Sequence, residues 1–430
     1  MRRATRWARR HATPAAEGIS YRSLLHIGEE WVRAAIVEVR PEGVLIIGTA
    51  MEPRIDTGPA IMASSLAPVC EDALRRAEDM TKGVIGQAIV PDEALISISG
   101  GGARSVMGTV QVTRPEPSRE IGQRETKHLL HRLYQAAEKQ AAAATESATG
   151  ARPEKPRSLA LWDMRLAEVA VDGHVVTSPL RFRGTELGAA AVALFMDQTV
   201  MEELHWLVTY LELSARLVDM PWALASAMSE QDAASSNLIG CMLDARDSTL
   251  FWLRRGTVVA MESCAYGGDD LLRDLGVSLG VPTFRADDLC RAYCAKELDE
   301  GEAERVESSM GYAERHWGSA LQAPFAQLMA QGGAAFPTET ARLWYWQMAR
   351  AWPGLERMLH AWADTWPVDR APSVTCATTQ SIPGVSDRTG LIGQEPADTF
   401  LAALAHQAGH LARTSDPLNA ALRRIALRSP

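Results

Sequence analysis

Residues 237–270 read NLIGCMLDARDSTLFWLRRGTVVAMESCAYGGDD. Leu238, Ile239, Met242 and Leu243 form one apolar run, and Leu250, Phe251, Trp252 and Leu253 form a second. Both are short and end on turn-forming residues, which predicts strands. Arg254-Arg255-Gly256 reads as a hairpin link to a third strand, TVVAMESC. Gly267-Gly268-Asp269-Asp270 then closes the sheet and opens a helix. Leu271, Leu272, Leu275 and Leu279 recur there at helical spacing. The order is therefore strand, polar turn, strand, turn, strand, Gly-Gly-Asp, helix.

Working outward, residues 23–51 repeat the first part of that pattern. SLLHIG, VRAAIVEV and GVLIIGTAM predict three strands in a meander, with Arg40-Pro41-Glu42-Gly43 as a turn. A helix over 63–83 puts Leu66, Val69, Cys70, Ala73, Leu74 and Ala77 on one face, and ALISIS (94–99) is a further strand running into three glycines. Beyond it, 101–183 read as strand (SVMGTVQVT), helix, an Ala-rich loop (141–157), and two strands. Pro179 to Met196 then returns to the main body. A helix over 199–213 and a strand over 215–219 follow.

This layout resembles the actin-like ATPase superfamily, and most closely the bacterial cell-division family FtsA. The resemblance spans roughly 22–412. It implies an α/β, two-lobed actin-like fold with a small inserted α+β domain, of the SHS2 type, in the first lobe. The expected divisions are a basic tail (1–20), first-lobe segments (21–100 and 186–236) and the insert (101–185). The second lobe would take 237–285 and 371–395 as sheet and 286–370 as a helical subdomain. Closing helices would occupy 396–430.

In that family the turns hold ATP, and the resemblance carries this role to Gly28, Asp244, Ser248, Thr249, Gly267, Gly268 and Asp287. The turns themselves depart from the pattern. Where the family places Asp-x-Gly-Gly-Gly-Thr, this chain has Asp244-Ala245-Arg246-Asp247-Ser248-Thr249. Glycines let backbone amides approach phosphate oxygens closely, and their replacement puts side chains, one of them acidic, in the way. His26 stands where the family has the aspartate that holds the metal's water, and Glu29 where it has Thr or Ser. Asp287 replaces a nucleoside-contacting Glu whose companion Lys is gone. Thr378-Thr379 replaces a Gly-Gly pair under the adenosine. ATP is thus the ligand the resemblance names and the departures oppose, and no catalytic residue is expected.

Length and composition bound the alternatives. The chain has 430 residues, net charge −9 and 23% charged residues, an ordinary soluble composition with room for roughly two to four domains. The acidic balance excludes a nucleic-acid partner on a basic face. Six cysteines show no paired framework, so free thiols in a reducing cytoplasm are expected. No apolar run reaches the ~20 residues of a membrane span, and the basic N-terminus lacks a signal peptide's apolar region. Residues 1–19 carry five arginines and one tryptophan without a core pattern. Cys290/Cys294, His128/His131 and His406/His410 sit close together on helices without further ligands, so no metal is expected. The histidines read as helix-surface residues.

Residues 340–366 read as one long tryptophan-bearing helix perturbed at Pro353. Asp416-Pro417 opens a short amphipathic helix with Leu418, Ala421, Leu422 and Ile425 on one face and Arg423, Arg424 and Arg428 off it. FtsA ends on such a helix at the membrane; docking on the protein body is the equal alternative. The functions implied are a cytoplasmic, FtsA-like adapter at the membrane face for an FtsZ-like polymerising division protein, with self-association. A related implication is a type IV pilus assembly adapter like PilM. An active ATPase or sugar-kinase-like enzyme is the third.

Overall fold

The structure, a computed structural model, describes residues 19–54, 63–99, 104–148, 159–231, 237–254, 257–332, 342–347, 352–366, 372–413 and 417–426. The basic segment 1–18 and the Arg255-Gly256 turn lie outside them. Two sheets built on the same plan dominate the fold.

In the first, β1 (Ser20–Ile27), β2 (Trp31–Arg40) and β3 (Gly43–Pro53) form an antiparallel meander. β4 (Glu93–Ile98) pairs parallel to β1. After α1 (Ala63–Ile85), which precedes β4, comes β5 (Arg104–Thr113), then α2 (Gln123–Ala148), β6 (Leu159–Val171), β7 (His174–Val175), β8 (Glu186–Asp197) and α3 (Gln198–Tyr210). β9 (Ser214–Leu217) then adds parallel to β4, giving the order β3-β2-β1-β4-β9. Helix α4 (Met220–Gln231) leads onward.

The second sheet repeats this. β10 (Asn237–Leu243), β11 (Ser248–Arg254) and β12 (Thr257–Cys264) are antiparallel. Helices α5 (Gly268–Leu279), α6 (Thr283–Ala295) and α7 (Glu300–Gly332) follow. β13 (Arg342–Gln347) and β14 (Ser373–Cys376) then add in parallel, with α8 (Leu355–Ala363) between them. The order is β12-β11-β10-β13-β14. β15 (Val385–Asp387) crosses back to the first sheet and pairs parallel to β3. α9 (Asp398–Arg413) and α10 (Pro417–Ala426) finish the chain's described part.

The physical reason for each half is its apolar content. Strands β1 and β2 are buried along most of their length, as a sheet covered on both faces requires. Helix α1 lies directly on β3: a Cβ on Gly48 would sit 2.1 Å from the Ala77 carbonyl oxygen. The second half centres on Leu243, Leu250, Trp252, Trp317 and Leu343. Helices α4 and α9 share a core between the sheets with Phe251, Trp346 and Phe400.

A third sheet, β5-β8-β6-β7, backs onto α2. It occupies the stretch the sequence assigns to an insert. Helix α2 extends to Ala148, so the start of the Ala-rich segment is helical and not a loop. Alanine's high helix propensity accounts for this; 149–158 lie outside the described residues. The expected long helix over 340–366 is also corrected. RLWYWQ forms strand β13, because alternating aromatic side chains suit a sheet with both faces covered. Trp344 and Trp346 go to one face and Leu343 and Tyr345 to the other.

Helix α10 buries Leu418 and Leu422 among Leu129, Leu133, Met164 and Val169 of the small sheet and α2. Leu418 and Leu422 of its apolar side are therefore taken up by the protein body. Among the described residues no helix is long and apolar enough to cross a membrane. All six cysteines are free. His406 is buried, not on a helix surface as expected: its Nδ1 lies 3.1 Å from the Pro383 carbonyl oxygen and its Nε2 3.4 Å from Glu230.

Candidate functional site

The two sheets face each other across a cleft of about 620 Å³. Its walls are the β1–β2 turn, the β10–β11 turn, the start of α5, the inner side of α6 and the turn before α9. Of the seven residues singled out in the sequence, Gly28, Asp244, Gly268 and Asp287 line it; Ser248, Thr249 and Gly267 do not.

The three that stand back have other partners. Ser248 is fully buried; its hydroxyl donates to the Tyr266 carbonyl at 2.7 Å and accepts from Trp317 Nε1 at 2.7 Å. Thr249 Oγ1 lies 2.9 Å from Ser263 Oγ. Gly267 is pressed onto the β10–β11 turn, where an added Cβ would stand 2.4 Å from the Ala245 carbonyl oxygen. Only glycine tolerates that approach. Thr378 and Thr379 cap a short 3-10 turn after β14 and do not line the cleft.

The backbone at the cleft floor is already hydrogen-bonded. The N-terminal amides of a helix normally point outward with unused donors and favour anions. At the start of α5, Gly268 N–H donates to the Asp244 carbonyl at 2.8 Å and Asp269 N–H to the Ala245 carbonyl at 2.8 Å. Gly267 N–H donates to Asp270 Oδ2 at 2.9 Å, a cap within the turn. In the opposing turn, Asp244 N–H donates to the Asp247 carbonyl at 2.9 Å, Ala245 N–H to Asp244 Oδ1 at 2.7 Å, and Gly28 N–H to the Trp31 carbonyl at 2.9 Å. Each of these amides already has a protein acceptor.

The charges around that floor are acidic. Glu29 Oε1 pairs with Arg246 Nε at 3.2 Å, and its side chain is only 9% exposed. Neither of its oxygens receives a hydrogen bond. Burial, then the neighbouring Asp244, pushes the Glu29 carboxyl up to about 7 despite Arg246. Burial and Asp244 push Asp247 up to about 7 as well. Burial also raises Asp244, against the hydrogen bonds from Ala245 and Ser99 that favour its charged form. Carboxyls crowded out of water hold their protons longer than usual.

His26 lies at the base of the first turn. Its Nδ1 is 2.8 Å from Ser97 Oγ, its Nε2 3.3 Å from Ser99 Oγ, and its ring stacks on Phe400 with centroids 5.7 Å apart. Burial and then the Arg33 charge push its imidazole down to about 3. This imidazole is therefore neutral at neutral pH. Among the described residues no group of three or more His, Cys, Asp or Glu side chains has metal-holding geometry.

Sequence reasoning missed the opposite corner. Arg33 on β2 is buried and donates from Nη1 to Asp398 Oδ1 at 2.9 Å and from Nη2 to Glu395. Asp398 Oδ2 in turn accepts from the amides of Gly393, Gln394 and Glu395 at 3.0–3.1 Å. The available signal was an arginine inside the apolar strand VRAAIVEV. Trp352, Cys290 and Cys294 form the far wall.

No family model matches the chain, and no curated protein matches it in sequence. Among solved structures, the type IV pilus biogenesis complex PilM–PilN aligns at TM-score 0.54 and 14% identity, covering 91% of this chain and 99% of that one. This chain has the actin-like ATPase fold. The duplicated β3-β2-β1-β4-β9 and β12-β11-β10-β13-β14 orders are its internal signature. The ethanolamine utilization protein EutJ from Carboxydothermus hydrogenoformans aligns at TM-score 0.45 and 9% identity, covering 92% of this chain and 91% of that one.

Proposed function

We propose that this chain is an actin-fold adapter: a scaffold that binds other proteins and whose interlobe cleft no longer serves ATP hydrolysis. The observation that carries the reading is the state of the phosphate-facing turns. The Gly268 and Asp269 amides already donate to backbone carbonyls, and the buried Glu29 carboxylate stands beside them. A triphosphate would meet acceptors and carboxylates where it needs donors. The site residues Gly28, Asp244, Gly268 and Asp287 are then remnants of a nucleotide cleft, and the four-stranded sheet with α2 is the SHS2-type insert.

Within the adapter class we favour the pilus-assembly role. One structural neighbour is a complex of PilM with PilN, so a PilN-like assembly protein is the proposed partner. The docking of α10 on the insert also fits a relative that has no need of a terminal membrane helix. The second reading is an FtsA-like link between an FtsZ-like polymer and the membrane, motivated by the amphipathic character of that same helix. Deleting the gene separates the two. Loss of surface pili with normal septation supports the first, and filamentous cells with normal pili the second. Cells normal in both respects contradict the adapter proposal.

A further inference from the structure

The two turns that face each other across the cleft belong to different halves of the molecule, and they touch through side chains. Glu29, on the β1–β2 turn of the first half, meets Arg246, on the β10–β11 turn of the second, at 3.2 Å. Ser99, just after β4, donates to the Asp244 carboxyl across the same junction. Around the Glu29 carboxyl stand Asp244 and Asp247 from that second turn and Asp269 from the start of α5. On its own side, His26 is neutral, Arg54 Nη1 donates to the Gly28 carbonyl at 2.9 Å, and Arg33 is held by Asp398 and Glu395. Across the cleft on α6, Arg291 pairs with Asp287. Arg246 is thus the cation that meets Glu29, against three carboxyls of the opposing half. Both Glu29 oxygens are buried without a hydrogen-bond donor.

We propose that this junction is a proton-operated latch between the two halves: they stay together while the Glu29 carboxyl keeps its proton and part when it ionises. A neutral carboxyl can sit dry beside Asp244, Asp247 and Asp269. A carboxylate there has lost its water, has no hydrogen bond, and faces like charges with one guanidinium in return. Parting the halves returns it to water. That relief exists in only one of the two arrangements, so ionisation shifts the balance between them. The chain path allows the movement. It crosses between the two large sheets twice, between β9 and β10 and between β14 and β15, and a pair of such crossings can act as a hinge. The size of the effect follows from the burial. With Glu29 titrating at about 7 when closed and at 4.5 in water, the ratio of open to closed molecules rises about tenfold from pH 6 to pH 8.

Double electron–electron resonance on the full chain tests this, with nitroxides attached through p-acetylphenylalanine in place of Arg75 and Arg305. Both sites are exposed, one on α1 in the first half and one on α7 in the second, and this labelling spares the six cysteines. Between pH 6 and pH 8 a longer distance should gain about tenfold in its ratio to the shorter one. Glu29→Gln should hold the shorter distance at both pH values. Arg246→Gln should match the parent at pH 6 and open further at pH 8, because the ionised Glu29 then lacks its cation. A latch made by the ion pair itself would instead open in that variant at both pH values. The same distances at pH 6 and pH 8 in the parent, a Glu29→Gln variant that opens as the parent does, or an Arg246→Gln variant already open at pH 6 overturns the proposal. The gene deletion tests the adapter reading separately, so either can fail without the other.

Discussion

The consequences begin with Glu29, whose burial separates its folded and unfolded proton affinities. Its carboxyl titrates near 7 in the fold and at 4.5 when free. The fold therefore keeps this proton more tightly than the unfolded chain does. The resulting stabilisation is complete below about 4.5 and is lost as pH rises through about 7. Asp247, also pushed up to about 7, acts in the same direction. His26 acts oppositely: its stabilisation is present above 6.5 and is lost as pH falls toward 3. Glu29→Gln fixes the uncharged state, so its Tm should match the parent at pH 5 and exceed it by a few degrees at pH 8. Equal Tm values at both pH values would show that the carboxylate is solvated. Gly267→Ala tests the neighbouring lock, since its methyl would strike the Ala245 carbonyl oxygen at 2.4 Å. Thermal unfolding should report a loss of about 1–3 kcal/mol, typical of overpacking against backbone; an unshifted Tm would mean that the turn and α5 part freely.

Among the elements, α10 takes its order from its neighbours. Its ten residues would be marginal as an isolated helix, so its order depends on Leu418 and Leu422 in the core of the small sheet. Leu422→Ala should raise hydrogen exchange in α10 and on the facing part of β6, leaving the protection of β1 and β10 intact. Global loss of protection would make α10 integral to the main fold. The same elements show how far the sequence could be read. The meanders 23–51 and 237–264 were legible because apolar runs alternate with Pro/Gly and polar turns. The strand–helix–strand order across 104–175 was legible from the same alternation of apolar runs and turns. Strand β13 was not, because RLWYWQ sits among helix-forming residues and its aromatic run satisfies either period until the sheet partner β10 is known. The acidic turn 244–247 and the odd residues His26 and Glu29 were visible as departures. The engagement of the Gly268 and Asp269 amides was not, because it depends on two turns 24 positions apart meeting at 2.8 Å. The Arg33–Asp398 pair, 365 positions apart, was beyond sequence pattern for the same reason.

At the scale of the whole molecule, the duplicated sheets create a cleft, and the chemistry of the turns determines what enters it. In this cleft the turn amides are bonded to carbonyls, and burial crowds the carboxyls of Glu29 and Asp247 out of water. The adapter reading rests on that polarity, which a fold comparison alone does not reveal. Isothermal titration calorimetry of the full chain with Mg-ATP at neutral pH tests it most directly. The account predicts no heat of binding at ligand concentrations up to about 1 mM, an affinity weaker than about −4 kcal/mol. Saturable binding of Mg-ATP in the micromolar range would contradict it.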